Sequence, residues 1–314
     1  MKISQVVAPR HSEIVEIDEP VPGKGQVLVD VLACGVCTSD QTPWRERGTG
    51  ENPIRLGHEM VGRIVATGSS DTAWRVGDVV TGLGSPGFAE RAVLDENVIL
   101  RVPAGIDPAL ALGEPLACLE EALSRCGMNP GSRVAVVGLG FMGLGLVQLV
   151  RRLAPGVLVG VDPSFDARTH GLRNGADEVY HPDELPAGYT TDGEGATDLR
   201  MDLVLEATGV TPGLDVAGSL VRSYGTMCIV GYHHAGTAKL DMNLWYKGAT
   251  VVNGFSPDRR RTMLAMASGL ELVGMGTFDY GTLITHRFGL DDVDAAYELM
   301  ENHGPDFVKS VIVP

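Results

Sequence analysis

Two constellations in this chain can carry chemistry. The first is rich in glycine. Gly138, Gly140 and Gly143 stand in Gly-x-Gly-x-x-Gly spacing, with Phe141 and Met142 inside it. The motif follows the apolar run Arg133–Val137 and opens a helical pattern over Met142–Ala154. Glycines at such a turn permit a tight bend, let a pyrophosphate approach the backbone, and let helix and strand pack closely. The helix N-terminus then offers free N–H groups and positive potential to the phosphates. Asp162 ends the next apolar run, Val157–Val161, where an acid can accept hydrogen bonds from both ribose hydroxyls. A carboxylate there repels a 2′-phosphate, which favours NAD over NADP. Arg168, a little further on, is a cation that keeps NADP as the second choice. The bland reading is a glycine-rich turn with no ligand. Strand, glycines, helix and acid in one run argue for the nucleotide.

The second constellation lies in the N-terminal part. Cys34 and Cys37 form a Cys-x-x-Cys followed by Thr38, Ser39 and Asp40. Gly57, His58 and Glu59 come next, and Glu114 with Pro115 and Leu116 comes much later. A zinc ribbon needs a second Cys-x-x-Cys, which the sequence lacks. A thioredoxin-type redox pair needs a βαβ setting, which is absent around Cys34. One thiolate, one imidazole and one carboxylate suit an open Zn²⁺ site that keeps a position for water or substrate. Taken alone, these residues leave that reading open against buried thiols and a surface histidine.

Both sets need elements to position them. Up to about residue 115 the chain shows short β-branched runs, Gln26–Leu32, Met60–Ala66 and Phe88–Val93, punctuated by Gly, Pro and Asp. Many short strands with frequent turn signals suggest a β-rich barrel or sandwich. Asn52-Pro53 and residues 84–87 read as irregular loops. Strand and helix patterns then alternate, which implies a parallel sheet. Its strands are Arg133–Val137, Val157–Val161, Asp202–Glu206, Thr226–Val230 and Thr250–Asn253. In the helix after the glycines, Leu146, Leu149, Val150 and Leu153 share one face. Thr211 reads as a helix N-cap with Pro212 at the first helical position. Residues 181–200 are Gly-, Asp- and Thr-rich and read as a surface loop. Helices near Arg259–Leu272 and Asp291–Asn302 and a strand near Val308–Val313 end the chain.

The chain has 314 residues, enough for two domains at roughly 100–200 residues each. Hydrophobic residues at 44% and charged residues at 21% describe a folded globular protein and exclude disorder for most of it. The net charge of −15 leaves no room for an extensive basic patch, which argues against nucleic acid and anionic membranes as partners. No apolar stretch approaches the roughly 18 residues of a bilayer span, and the N-terminus lacks the apolar core of a signal peptide. The expected location is the cytosol. Five sparse cysteines then read as metal ligands or buried thiols rather than disulfides.

Several further motifs join the two constellations: Ala33–Asp40, Gly57–Gly62, Arg75–Val79, Phe88–Glu90, Glu114–Ala117, Gly138–Gly143 and Glu206–Gly209. With them the chain resembles, over nearly its whole length, the zinc-dependent medium-chain dehydrogenase/reductase superfamily. Within it the likeness is to the polyol (sorbitol-type) and threonine dehydrogenases. The resemblance implies an α/β architecture: a Rossmann domain with a doubly wound parallel sheet plus a GroES-like β-rich catalytic domain. The expected division is 1–116 catalytic, 117–255 cofactor-binding and 256–314 returning to the catalytic domain.

The resemblance also implies roles. Cys37, His58 and Glu114 would hold the catalytic zinc, with Glu59 either bound directly or placed behind the ligands. Asp40 would orient the zinc-bound His58, and Ser39 would be the relay hydroxyl that takes the proton. Thr208, in Glu206–Gly209, joins Gly138, Gly140, Phe141, Met142, Gly143, Asp162 and Arg168 at the cofactor. The implied reaction is reversible oxidation of a secondary alcohol, a polyol, cyclitol or sugar, by NAD. Two departures stand out. The family commonly carries a lobe of four cysteines around a structural zinc, and here residues 81–87 run straight to Phe88. One zinc per chain is therefore expected. Some alcohol dehydrogenases pass protons through a histidine at a position that Thr42 holds here.

Weaker candidates remain. Cys34 reads as a buried small residue beside the site. His233-His234 is weighed between a cofactor pocket and a solvated loop. Trp44, Trp245 and Asn253 are weighed between a cleft and core packing, and Arg259–Arg261 reads as solvated surface. Two rivals are a zinc-free NADPH-dependent enone or quinone reductase of the same superfamily and a dinucleotide-binding sensor without turnover. Relatives associate through the cofactor domain, so a homodimer or homotetramer is expected.

Overall fold

The computed structural model describes residues 1–46, 54–191, 198–233, 236–302, 304 and 306–314. Two compact units emerge: Met1–Ala117 with Met263–Pro314, and Cys118–Thr262. The chain leaves the second unit inside the helix Arg259–Gly274 rather than at residue 256. The reason is packing: Met266 and Leu270 of that helix bury against Ala117, with Leu83 and Leu100 alongside.

The first unit is built on an antiparallel sheet. Its strand order is His286–Phe288, Ser310–Ile312, Gln26–Gly35, Glu59–Thr67, Val79–Gly82, Ile99–Arg101, with Arg91–Asp95 also paired to Gln26–Gly35. Gln26–Gly35 is long enough to serve two partners on one edge. Its first half pairs with Arg91–Asp95, and Cys34 and Gly35 pair with the C-terminal strand. Val27, Val29, Val31, Ile64, Val80, Phe88 and Tyr297 form the core there. The strand expected at Phe88–Val93 starts only at Arg91, because the backbone of residues 88–90 bonds instead to the strand Lys2–Ala8, Ser4 N–H to the Phe88 carbonyl and Glu90 N–H to the Lys2 carbonyl.

The second unit carries a parallel sheet. Its order is Glu178–Tyr180, Val157–Val161, Arg133–Val137, Met201–Glu206, Val221–Ile229, Thr250–Asn253. Numbered along the chain this is about 3-2-1-4-5-6, the doubly wound order whose switch point lies beside its first strand. Valine and leucine fill the strands because both faces are covered. The helix after the glycines spans Phe141–Arg151 and stops before Ala154, whose φ of 53° leaves the helical region. Thr211 is the first helical residue of Thr211–Leu220 and Val210 takes the cap position, one residue earlier than expected. The segment expected as a plain loop over 181–200 contains the turn Pro182–Glu184 and the short helix Ala187–Thr190, which buries Tyr189. Asn52, Pro53 and His234 lie outside the described residues. Among the described residues, no helix is long and apolar enough to cross a membrane.

Candidate active site

In the first unit the chain brings Cys37, His58 and Glu59 together. One ligand atom from each lies within 4.8 Å of the others. Cys37 follows the strand Gln26–Gly35 and caps the turn Thr38–Asp40. His58 immediately precedes the strand Glu59–Thr67, and Glu59 opens it. The strand register sets Gly35 opposite Glu59. A Cβ on Gly35 would stand 1.9 Å from Glu59 Oε2, so the missing side chain is what admits the carboxylate.

Asp40 fixes the imidazole. Its Oδ2 accepts from the Gly57 backbone N–H at 3.0 Å and meets His58 Nδ1 at 3.1 Å. That contact turns Nε2 to the other side, where Ser39 Oγ stands 3.5 Å away. Ser39 Oγ also donates to Cys37 Sγ at 3.2 Å. Burial works against a charged His58, but hydrogen bonds to Asp40 and Cys37 outweigh it and push the imidazole up to about 11. The donor set of thiol, imidazole and carboxylate, with an orienting acid behind the histidine, fits a zinc ion.

Glu114 sits half-buried in the first turn of the helix Gly113–Ser124 and is not among the converging groups. Its charge reaches the site through Lys309. Lys309 was not anticipated from the sequence. Its Nζ donates to Glu59 Oε1 at 2.9 Å and to the Val36 carbonyl at 3.1 Å, and lies 2.7 Å from Glu59 Oε2. Burial opposes the ammonium, yet Glu59 and Cys37 hold it above its ordinary value. A lysine directly before the apolar strand Ser310–Ile312 is the signal that could have found it.

Cys34 is fully buried beside this site, and burial pushes its thiol well up. Trp44 belongs to the core: it stacks on Tyr297 at 5.0 Å and its Nε1–H donates to Asp294 Oδ1 at 2.8 Å. Thr42 stands half-buried in the short helix Gln41–Glu46.

In the second unit the glycines behave unequally. Gly138 adopts φ 91°, and a Cβ there would meet Thr208 Cγ2 at 2.7 Å. A Cβ on Gly143 would stand 1.8 Å from the Gly138 carbonyl oxygen, so the helix lies directly on the strand end. A Cβ on Gly140 would meet no protein atom within 4 Å. Packing therefore does not require glycine at that position, whereas a phosphate lying against the backbone would. Phe141 and Met142, half-buried, open the helix. Asp162 accepts the Leu139 N–H on Oδ2 and the Ser164 N–H on Oδ1, each at 2.8 Å, which ties the glycine turn to the end of the second strand. Arg168 Nη1 donates to the carbonyls of Asp162 and Pro163 at 2.7 and 2.9 Å.

Glu206, fully buried, pins the neighbouring loop. Its Oε1 accepts from the backbone N–H groups of Thr208 and Gly209 at 2.6 and 3.1 Å, and Oε2 meets His233 Nε2 at 3.1 Å. The sequence leaves His233 between a cofactor pocket and a solvated loop, and no local motif signals its contact with Glu206. Trp245 is exposed on the short helix Asn243–Tyr246, and Asn253 Oδ1 accepts the Phe255 N–H at 3.2 Å. Arg261 pairs with Glu121 at 2.7 Å near the start of its helix.

Comparison with known proteins shows what the chain is similar to. Residues 23–104 match the family model described as the alcohol dehydrogenase GroES-like domain. The chain is 26% identical to the sorbitol dehydrogenase of Halalkalibacterium halodurans, over 97% of this chain and 96% of the relative. It is 27% identical to the L-threonine 3-dehydrogenase of Pyrococcus horikoshii, over 92% of each chain. A crystal structure of a zinc-binding dehydrogenase from Sinorhizobium meliloti 1021, bound to NADP, matches with a TM-score of 0.85 at 23% identity, over 100% of this chain and 99% of that one.

Proposed function

We propose, for a chain that belongs to the medium-chain dehydrogenase/reductase superfamily and its polyol branch, the reversible oxidation of a secondary alcohol by NAD at a single zinc centre. The substrate class is a polyol, cyclitol or sugar. The observation that carries this reading is the convergence of Cys37, His58 and Glu59 within 4.8 Å, with Asp40 behind His58 and Ser39 beside it.

Cys37, His58 and Glu59 would hold the metal, while Glu114, which the resemblance implies as a ligand, acts by its charge on Lys309 beside Glu59. A zinc ion held there supplies Lewis acidity, which lowers the pKa of an alcohol bound to it. Asp40 keeps Nδ1 of His58 engaged, which would leave Nε2 for the metal. Ser39, whose Oγ lies 3.2 Å from Cys37 Sγ and 3.5 Å from His58 Nε2, would relay the alcohol's proton, accepting it on Oγ while passing its own hydroxyl proton on toward solvent water. In the second unit, the turn at Gly138, Gly140 and Gly143 and the first N–H groups of Phe141–Arg151, with Phe141 and Met142, take the pyrophosphate. Asp162 takes the adenine-side ribose, Thr208 lies on the loop beside Gly138, and Arg168 is the cation that would let NADP bind as a lesser alternative. The expected setting is the cytosol and the expected assembly a homodimer or homotetramer.

The test is NADH formation followed by absorbance, with a panel of polyols, cyclitols and aldoses and with both dinucleotides. Turnover with NAD exceeding that with NADP is the expected result. Binding of NAD with no reduction by any of these alcohols would favour a dinucleotide sensor instead.

A further inference from the structure

One buried carboxylate ties together the loops at the end of the second unit's sheet. Glu206 is the last residue of the strand Met201–Glu206 and is fully buried. Its Oε1 accepts from the backbone N–H groups of Thr208 and Gly209 and from the Thr208 hydroxyl. Its backbone carbonyl accepts from the N–H groups of Val230 and Gly231, which follow the strand Val221–Ile229. Oε2 meets His233 Nε2 at 3.1 Å. A Cβ on Gly231 would stand 3.1 Å from that oxygen and 2.3 Å from the Gly209 nitrogen, so glycine keeps the two loops close. A carboxylate oxygen accepts, so Nε2 of His233 carries a proton. In the neutral ring Nδ1 is then a lone pair. Among the described residues Nδ1 meets no hydrogen-bonding partner, and the side chain is 15% exposed. The tie to Glu206 asks only for an N–H donor, which an amide side chain would supply as well. An imidazole adds a second polar atom.

The place of His233 gives that atom a use. A sheet of this order consists of two mononucleotide-binding halves, with the ligand outside the carboxyl ends of the strands. Asp162 stands at that end of the first half, directly after Val157–Val161. Glu206 and His233 stand at the same end of the second half, after Met201–Glu206 and Val221–Ile229. They therefore face the second nucleotide, not the adenosine. We propose that His233 binds the nicotinamide nucleotide of NAD directly. Its Nδ1 accepts a hydrogen bond from the carboxamide N–H or from a hydroxyl of the adjoining ribose, while Glu206 holds the ring by Nε2. This rests on the reading of the second unit as a dinucleotide site.

The experiment is calorimetric titration of the full-length protein with NAD and with ADP-ribose, which lacks the nicotinamide. His233→Gln keeps an amide N–H within reach of Glu206 and removes the acceptor at Nδ1. It is expected to bind NAD about tenfold more weakly than wild type and ADP-ribose within about threefold, the scale of one hydrogen bond to a ligand. His233→Asn places an amide oxygen near the position of Nδ1 and gives up Glu206. It is expected to hold NAD within about threefold of wild type. A histidine that served only to hold Glu206 would give the reverse pattern, and that pattern overturns the proposal. Equal loss of NAD and ADP-ribose in His233→Gln overturns it too, since the effect then lies in the fold of the unit. Should His233→Gln fail to fold by thermal melt, His233→Asn decides alone, because only a direct contact predicts retained NAD affinity. The acetylpyridine analogue of NAD, which has a methyl group where the carboxamide has its N–H, names the donor. If wild type and His233→Gln bind it alike, the carboxamide makes the contact; if they still differ, the ribose hydroxyl does. Wild type that binds neither NAD nor ADP-ribose overturns the dinucleotide site itself. Wild type that binds both, with His233→Gln equal to it, overturns only the role of the histidine.

Discussion

Protons and zinc compete for His58. The imidazole of the metal-free protein is pushed up to about 11, so it is an imidazolium near neutral pH. Zinc binds only the neutral ring, so binding expels that proton. Zinc affinity should rise with pH from neutrality toward 11, and calorimetry in buffers of different ionisation enthalpy should show proton release. Affinity independent of pH would contradict the arrangement. Asp40→Asn removes the charge behind His58 and should cost about 10–100-fold in zinc affinity, read by the same titration. Ser39→Ala should keep its zinc, since Cys37, His58 and Glu59 remain, and lose about 100-fold in kcat because the proton path is cut. Cys37 and His58 stand out by residue type and spacing, whereas the roles expected of Ser39, Asp40 and Glu59 come from the family resemblance. Lys309 was not legible, because a single lysine far along the chain announces no partner, and only the pairing of Cys34 and Gly35 with Ile312 and Val311 brings it to Glu59.

Elements with a strong apolar period were legible to the residue. Arg133–Val137, Val157–Val161 and Thr250–Asn253 have the bounds that their β-branched runs suggest. Short pieces were not, because a four-residue helix such as Ala187–Thr190 depends on burying Tyr189 rather than on any local period. That Glu59 lies with Cys37 and His58 while Glu114 does not was also invisible, since it depends on the strand register that sets Gly35 opposite Glu59. At this scale the glycine turn makes a sharp prediction. Gly143→Ala places a methyl 1.8 Å from the Gly138 carbonyl oxygen and must lift the helix off the strand. It should cost about 1–3 kcal/mol of stability, as overpacking does. NAD affinity should fall with it, measured by calorimetry beside a thermal melt. Unchanged stability and NAD binding would mean that helix and turn are not coupled.

The whole chain folds as two units, and each carries one of the two constellations that the sequence displayed. Between Val79–Gly82 and Arg91–Asp95 the chain makes only a short loop that buries Phe88, which leaves no lobe for a second, structural zinc. One zinc per chain is the expectation that metal analysis tests. Sizing by light scattering should give a species larger than the 33.2 kDa chain, and a monomer alone would contradict the expected homodimer or homotetramer. The most direct measurement is elemental analysis of purified wild type and Cys37→Ala side by side after zinc reconstitution and removal of loosely held metal. One zinc per chain in wild type, absent from Cys37→Ala, is the predicted result. Wild type without zinc, or Cys37→Ala retaining a full equivalent, would contradict the metal centre and the mechanism built on it.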